Sequence, residues 1–168
     1  MLPPMTFLTL PDQASLQLVP CDPPLTLDAT ASLADQFAKL FAQFAREGRV
    51  STWAVEAQAD GSLLAIAWVG DADLSGCSRD KIARLLLTHE ERHGRHLLSA
   101  PPIVVATHAG VRCVDRRCLR ELIATGVVDA ESLIYDLRCA TLGAWRAAGS
   151  VPLAQSPFAA LVGASPTT

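Results

Sequence analysis

The sequence predicts an α+β fold: a ferredoxin-like β-α-β-β-α-β core, then a C-terminal β-α-β-α extension, on a mixed or antiparallel sheet. Three observations carry this. Two apolar runs flank Asp60-Gly61, and Asp-Gly between strands is the strongest short-range hairpin signal. Long segments on both sides of that hairpin carry apolar residues at helical spacing. A short apolar run, IVVAT, follows the second segment. All 168 residues are expected to form a single domain, with the core over about 15–107, the extension over about 108–161 and a frayed tail at 162–168.

The elements follow in order. SLQLV, at 15–19, alternates as a strand does, and the prolines of PCDPPLTLD then mark a loop. Asp28, Thr30 or Ser32 is expected to cap the first helix, whose stripe is Leu33, Phe37, Leu40, Phe41 and Phe44 and whose stop is Gly48. The hairpin strands cover 52–57 and 63–69. A second helix starts at about Arg79, carries Ile82, Leu85, Leu86, His89 and His93, and ends at Gly94. After Pro101-Pro102 come the IVVAT strand, a partner strand VRCVD, a helix stopped by Gly126, the strand SLIYD and a short helix ATLGAWRAA.

Half of the residues are hydrophobic and 18% are charged, which suits a packed globular chain. The net charge of −3 argues against nucleic acid as a partner. Arg112, Arg116, Arg117 and Arg120 cluster without interleaved aromatics, as a solvated helix face does. No stretch approaches the ~20 apolar residues of a membrane helix, and MLPPMTFLTLPDQ lacks the basic start of a signal peptide. A cytoplasmic location, no membrane partner and no cofactor are therefore expected. The five cysteines are odd in number and form no C-x-x-C, the usage of reduced thiols.

His89-Glu90-Glu91-Arg92-His93 spells H-E-x-x-H, a spacing that places two zinc ligands and a general base on one helix face. Glu91 and Arg92 are charged where such a helix is normally buried, and no motif supplies a third ligand. The expectation is that His89 and His93 form the wet end of a packed helix, where a histidine also suits the helix dipole.

Ser75, Gly76, Cys77, Ser78, Asp80 and Lys81 form a more specific stretch, S-G-C-S-x-D-K, at a strand-to-helix junction. It resembles a small bacterial family, often labelled "ABC transporter ATPase", that carries this motif. LRELIATGVVDAESLIYD, then Trp145, then PLAQSPF is similar to that family's closing segment, so the resemblance covers about 15–158. The label itself does not fit, because the phosphate-wrapping G-x-x-x-x-G-K-[ST] loop is missing.

At this junction Ser78 is the expected N-cap, Asp80 suits the first turn and Gly76 allows an unusual backbone angle. Ser75, Gly76, Ser78 and Asp80 are candidates for holding a ligand or an anion at the helix start. Cys77 with Lys81 nearby is a candidate nucleophile, with His108 as its base. The leading expectation is a non-catalytic ligand-binding or interaction protein whose partner is another protein or a small anionic ligand. The alternatives are a thiol-dependent enzyme using Cys77 and a zinc hydrolase at His89 and His93.

Two further patterns point elsewhere. Asp71 and Asp73 form the D-x-D of haloacid-dehalogenase-like enzymes, but the later motifs of those enzymes are missing, which leaves turn and capping roles. VRCVDRRCLRELIATGVVDAESLIYD with Trp145 is similar to small GYF-like peptide-binding modules. That resemblance implies an aromatic surface for a proline-rich peptide. On the other reading, Tyr135 and Trp145 are core residues.

Overall fold

A computed structural model describes residues 6–71 and 74–163. The fold is α+β with antiparallel sheets. β1 (Ser15–Pro20) leads into α1 (Leu27–Arg46). β2 (Val50–Gln58) and β3 (Leu63–Gly70) form the hairpin, and α2 (Gly76–His93) follows. β4 (Ile103–Thr107) and β5 (Gly110–Val114) make a second hairpin. Then come α3 (Arg116–Ala124), β6 (Leu133–Tyr135), α4 (Leu142–Ala148) and β7 (Ser150–Pro152).

The β-α-β-β-α-β order holds through β4, but its closing strand pairs elsewhere. The first sheet has only three strands, in the order β1-β3-β2. β4 instead centres a second sheet of order β5-β4-β6-β7. A ferredoxin-like fourth strand would lie along the outer edge of β1. That edge is met at its start by an antiparallel bridge from Thr141 to Ser15, and just past its end by one from His96 to Asp22. Neither site leaves room for β4 to run the length of β1.

β3 is buried from Leu63 to Trp68 because both faces of its sheet are covered. Leu64, Ile66 and Trp68 face α1 and α2, whereas the small Ala65 and Ala67 face the packed Phe7, Leu10 and Leu142. The α1 face is built around Phe41. Its ring stacks on Trp53 at 5.8 Å and meets Phe44 edge-on at 5.6 Å. Such pairs each add about 0.5–1.5 kcal/mol beyond burial alone. A third cluster, including Val105, Val114, Leu119 and Ile134, joins the second sheet to α3.

Several local expectations shift by a turn. The α1 cap is Thr26, whose hydroxyl accepts from the Ala29 N–H at 3.2 Å, so Asp28, Thr30 and Ser32 lie inside the helix. The hairpin strands extend beyond 52–57 and 63–69, and their turn is a 3₁₀ turn over Ala59–Gly61 with Ala59 and Asp60 at positive φ. Gly61 has φ +85°, and a Cβ there would collide with the Leu25 carbonyl. β7 and the short 3₁₀ turns at 153–155 and 159–161 order the chain beyond Gly149, and Leu161 and Val162 pack on the third cluster. Residues 164–168 of the expected tail lie outside the described residues.

Candidate functional site

The S-G-C-S-x-D-K stretch does start a helix, three residues earlier than expected. Ser75 is the N-cap and Ser78 lies inside α2, accepting its place by donating its N–H to the Ser75 carbonyl at 2.8 Å. Asp80 consequently falls in the second turn. Ser78 is buried, and the Ser75 and Ser78 hydroxyls lie 3.2 Å apart.

Both hydroxyls accept from the guanidinium of Arg49, at 3.0 Å for Ser78 Oγ. Arg49 is held in turn by Glu47, at 3.1 Å. The backbone closes the same corner, because the Asp71 N–H donates to the Arg49 carbonyl. Arg49 is thus the residue that organises the motif, and it carries no local sequence signal: its partners lie 26 and 29 positions downstream. The two serines spend their oxygens on this corner.

The remaining motif residues diverge. Gly76 and Cys77 are exposed at the first turn, and the Cys77 thiol makes no hydrogen bond among the described residues. Lys81 turns toward α1, with Nζ 5.8 Å from the centre of the Phe44 ring, a cation–π contact. The expected base, His108, sits in the turn between β4 and β5, where its electrostatic neighbour is Asp129. Nothing in the hydrogen bonding joins it to Cys77 or Lys81.

Asp80 and Arg79 border a cavity of about 520 Å³ between the outer edge of β1 and α2. Trp68, Leu74, Ile82 and Leu98 supply its apolar walls. Leu98 is 45% exposed at the mouth. The volume lies within the roughly 300–1,000 Å³ of small-ligand sites. Sequence reasoning found one rim of this cavity, Asp80, and missed the rest, because β1, β3 and the 97–98 loop meet only in three dimensions.

The H-E-x-x-H residues are used differently from the expectation. His89 is not at a wet helix end: it is 1% exposed, and neither ring nitrogen has a hydrogen-bond partner among the described residues. Burial, then the neighbouring His93 and Arg95, pushes its pKa below the ordinary histidine value. His93 is exposed, and the two rings lie 4.3 Å apart. Glu90 accepts from the Ser99 hydroxyl at 2.8 Å and from the Leu97 and Ser99 N–H groups, capping the loop that follows α2. Burial alone would raise its pKa, but these hydrogen bonds hold it below the usual carboxylate value. Among the described residues no group of three or more His, Cys, Asp and Glu side chains is placed to hold a metal ion.

Tyr135 and Trp145 are half-buried and stack with their centroids 6.1 Å apart. Beside them lies a second cavity of about 350 Å³, walled in part by Pro102, Ile134, Val151 and Phe158. Arg112, Arg116, Arg117 and Arg120 are exposed. Asp71 is exposed, and its carbonyl accepts from the Trp68 indole N–H at 2.9 Å. Asp73 lies outside the described residues. Among the described residues, no helix is long and apolar enough to cross a membrane. No protein-family model matches the chain, nor does any curated protein or solved structure.

Proposed function

We propose that this chain is a non-catalytic ligand-binding or interaction protein whose ligand occupies the cavity between β1 and α2. The observation that carries this is the cavity itself: about 520 Å³, apolar inside, with Arg79 and Asp80 of the α2 start at its rim. Convergent polar groups around an apolar pocket are the usual form of a binding site. The engagement of Ser75 and Ser78 by Arg49 supports a structural role for the motif, which fixes the cavity wall. The position of His108 beside Asp129, with no hydrogen bond to Cys77 among the described residues, supports a non-catalytic reading. The test uses the neutral apolar dye Nile red. Saturable uptake of one dye per chain is expected, and it is lost in Ala83→Trp, which fills the cavity. Uptake that is unchanged in a folded Ala83→Trp protein contradicts the proposal.

A second reading is favoured by the stacked Tyr135–Trp145 pair and its neighbouring cavity. It agrees with the GYF-like resemblance, and a proline-rich peptide would lie across these rings. Trp145→Ala would then abolish binding of a proline-rich peptide without affecting Nile red.

A further inference from the structure

We propose that the occupant of the β1–α2 cavity is an extended peptide segment of a partner protein, added as a strand to the outer edge of β1. This rests on the ligand-binding reading of that cavity. The hydrogen-bond parity of β1 fixes which backbone groups face outward. The Cys21 N–H, in line with the β1–β3 ladder, donates inward to the Ser62 carbonyl at 2.9 Å. Odd-numbered residues of β1 therefore pair with β3, and even-numbered ones point away. The chain already uses this outward side at both ends. The Leu16 N–H donates to the Ala140 carbonyl at 2.9 Å, and Asp22 and His96 exchange two hydrogen bonds at 2.9 and 2.7 Å.

Between those two points the Leu16 carbonyl, the N–H and carbonyl of Leu18 and the carbonyl of Pro20, which has no N–H to offer, face outward with no partner among the described residues. Unpaired groups along a strand edge are a template for another strand. Leu16 to Asp22 is six residue steps, roughly 20 Å of strand at about 3.3 Å per step, so the gap takes a segment of about four residues. The cavity lies at the start of this gap: its lining includes Ser15, Leu16 and Gln17 of β1, together with Ala140 and Leu98. The edge is closed at both ends by the protein's own chain, so it selects a short segment and resists open-ended stacking.

The side-chain chemistry follows from the walls. Residues two apart on the added strand point the same way, toward Trp68, Ile82 and Leu98, and apolar side chains match them. Trp68, Leu74, Ile82 and Leu98 dominate the lining, which suits an uncharged segment better than an anion. The partner is thus a protein with an exposed, uncharged extended segment carrying apolar residues two apart.

The experiment uses the full chain and fluorescein-labelled pentapeptides of the pattern Thr-X-Thr-X-Thr, with X as Val, Ile, Leu or Phe. Twins of each peptide are N-methylated at alternate amides. Micromolar binding is expected by fluorescence anisotropy, weakened roughly tenfold or more by N-methylation in one of the two alternating registers, because only one set of amides faces β1. Binding is also expected to be lost in Ala83→Trp and in Leu98→Asp. The second variant changes a residue that is already 45% exposed, so it keeps a readout if the first fails to fold. If Nile red binds and Ala83→Trp blocks it, while the peptides fail to bind or both methylation registers bind equally, strand addition is wrong and the cavity reading stands. If neither dye nor peptide binds, both fail.

Discussion

Replacing His89 by leucine is expected to stabilise the protein, although it deletes a residue of an apparent metal motif. His89 is 1% exposed, and both imidazole nitrogens lack a hydrogen-bond partner among the described residues. An unsatisfied buried polar group costs about 1–3 kcal/mol. Leucine has a similar volume, continues the buried stripe of Ile82 and Leu86 on α2, and removes that penalty. A gain of about 1–3 kcal/mol corresponds to roughly 2–4 °C in Tm per kcal/mol for a chain of this length. The pH dependence adds a second signature. The unfolded histidine takes up a proton as pH falls through the ordinary histidine value of about 6.5, whereas the native one is held lower by burial. The unfolded state then binds more protons, so stability falls from pH 7 toward pH 5. His89→Leu removes this component of the slope. Glu90 acts in a separate, more acidic window: its contribution is present above the ordinary carboxylate value and is lost as pH falls through its lower folded value. Thermal melts of both proteins from pH 7 to pH 5 make the test. A variant that is less stable than the parent, with an unchanged slope, would refute the reasoning and imply that the buried nitrogens are satisfied in solution.

Two other outcomes follow from the same structure. Gly61→Ala is expected to destabilise by about 1–3 kcal/mol in chemical denaturation, since φ +85° and the Leu25 carbonyl both exclude a Cβ; an unchanged midpoint would show that the turn can rearrange. Alkylation of the native protein, read by mass spectrometry, is expected to label exposed Cys77 first and to spare Cys21, which is 1% exposed with its thiol pushed up to about 12 by burial. Labelling of Cys21 ahead of Cys77 would contradict the burial of the β1 end.

Much of the architecture was legible because it rests on local pattern. The Phe37, Phe41 and Phe44 spacing fixed one face of α1, and Asp60-Gly61 marked the β2–β3 turn. The fate of IVVAT was not legible. An apolar run specifies a buried strand, but its pairing with β5 and β6, away from β1, is decided by Thr141 and His96 occupying the β1 edge. β7 is three residues long, too short to show a period. At the site, S-G-C-S-x-D-K marked the helix start, while Arg49, which ties its serines together, could not be read from spacing. His89 did continue the apolar stripe of α2; the H-E-x-x-H spelling and the nearby helix end drew the reading toward solvent, although the stripe itself pointed inward.

The central claim is that the outer edge of β1 is open over the cavity and is completed by a ligand. Residue-level amide hydrogen exchange by NMR tests it most directly. Leu18 is 9% exposed, yet its N–H points to the outward side of β1 with no partner among the described residues, whereas Gln17 and Val19 pair with β3. The account predicts that the Leu18 amide exchanges faster than those of Gln17 and Val19, and that a bound pentapeptide slows it. A Leu18 amide as protected as its neighbours in the free protein would show that the edge is already filled, and would contradict the account.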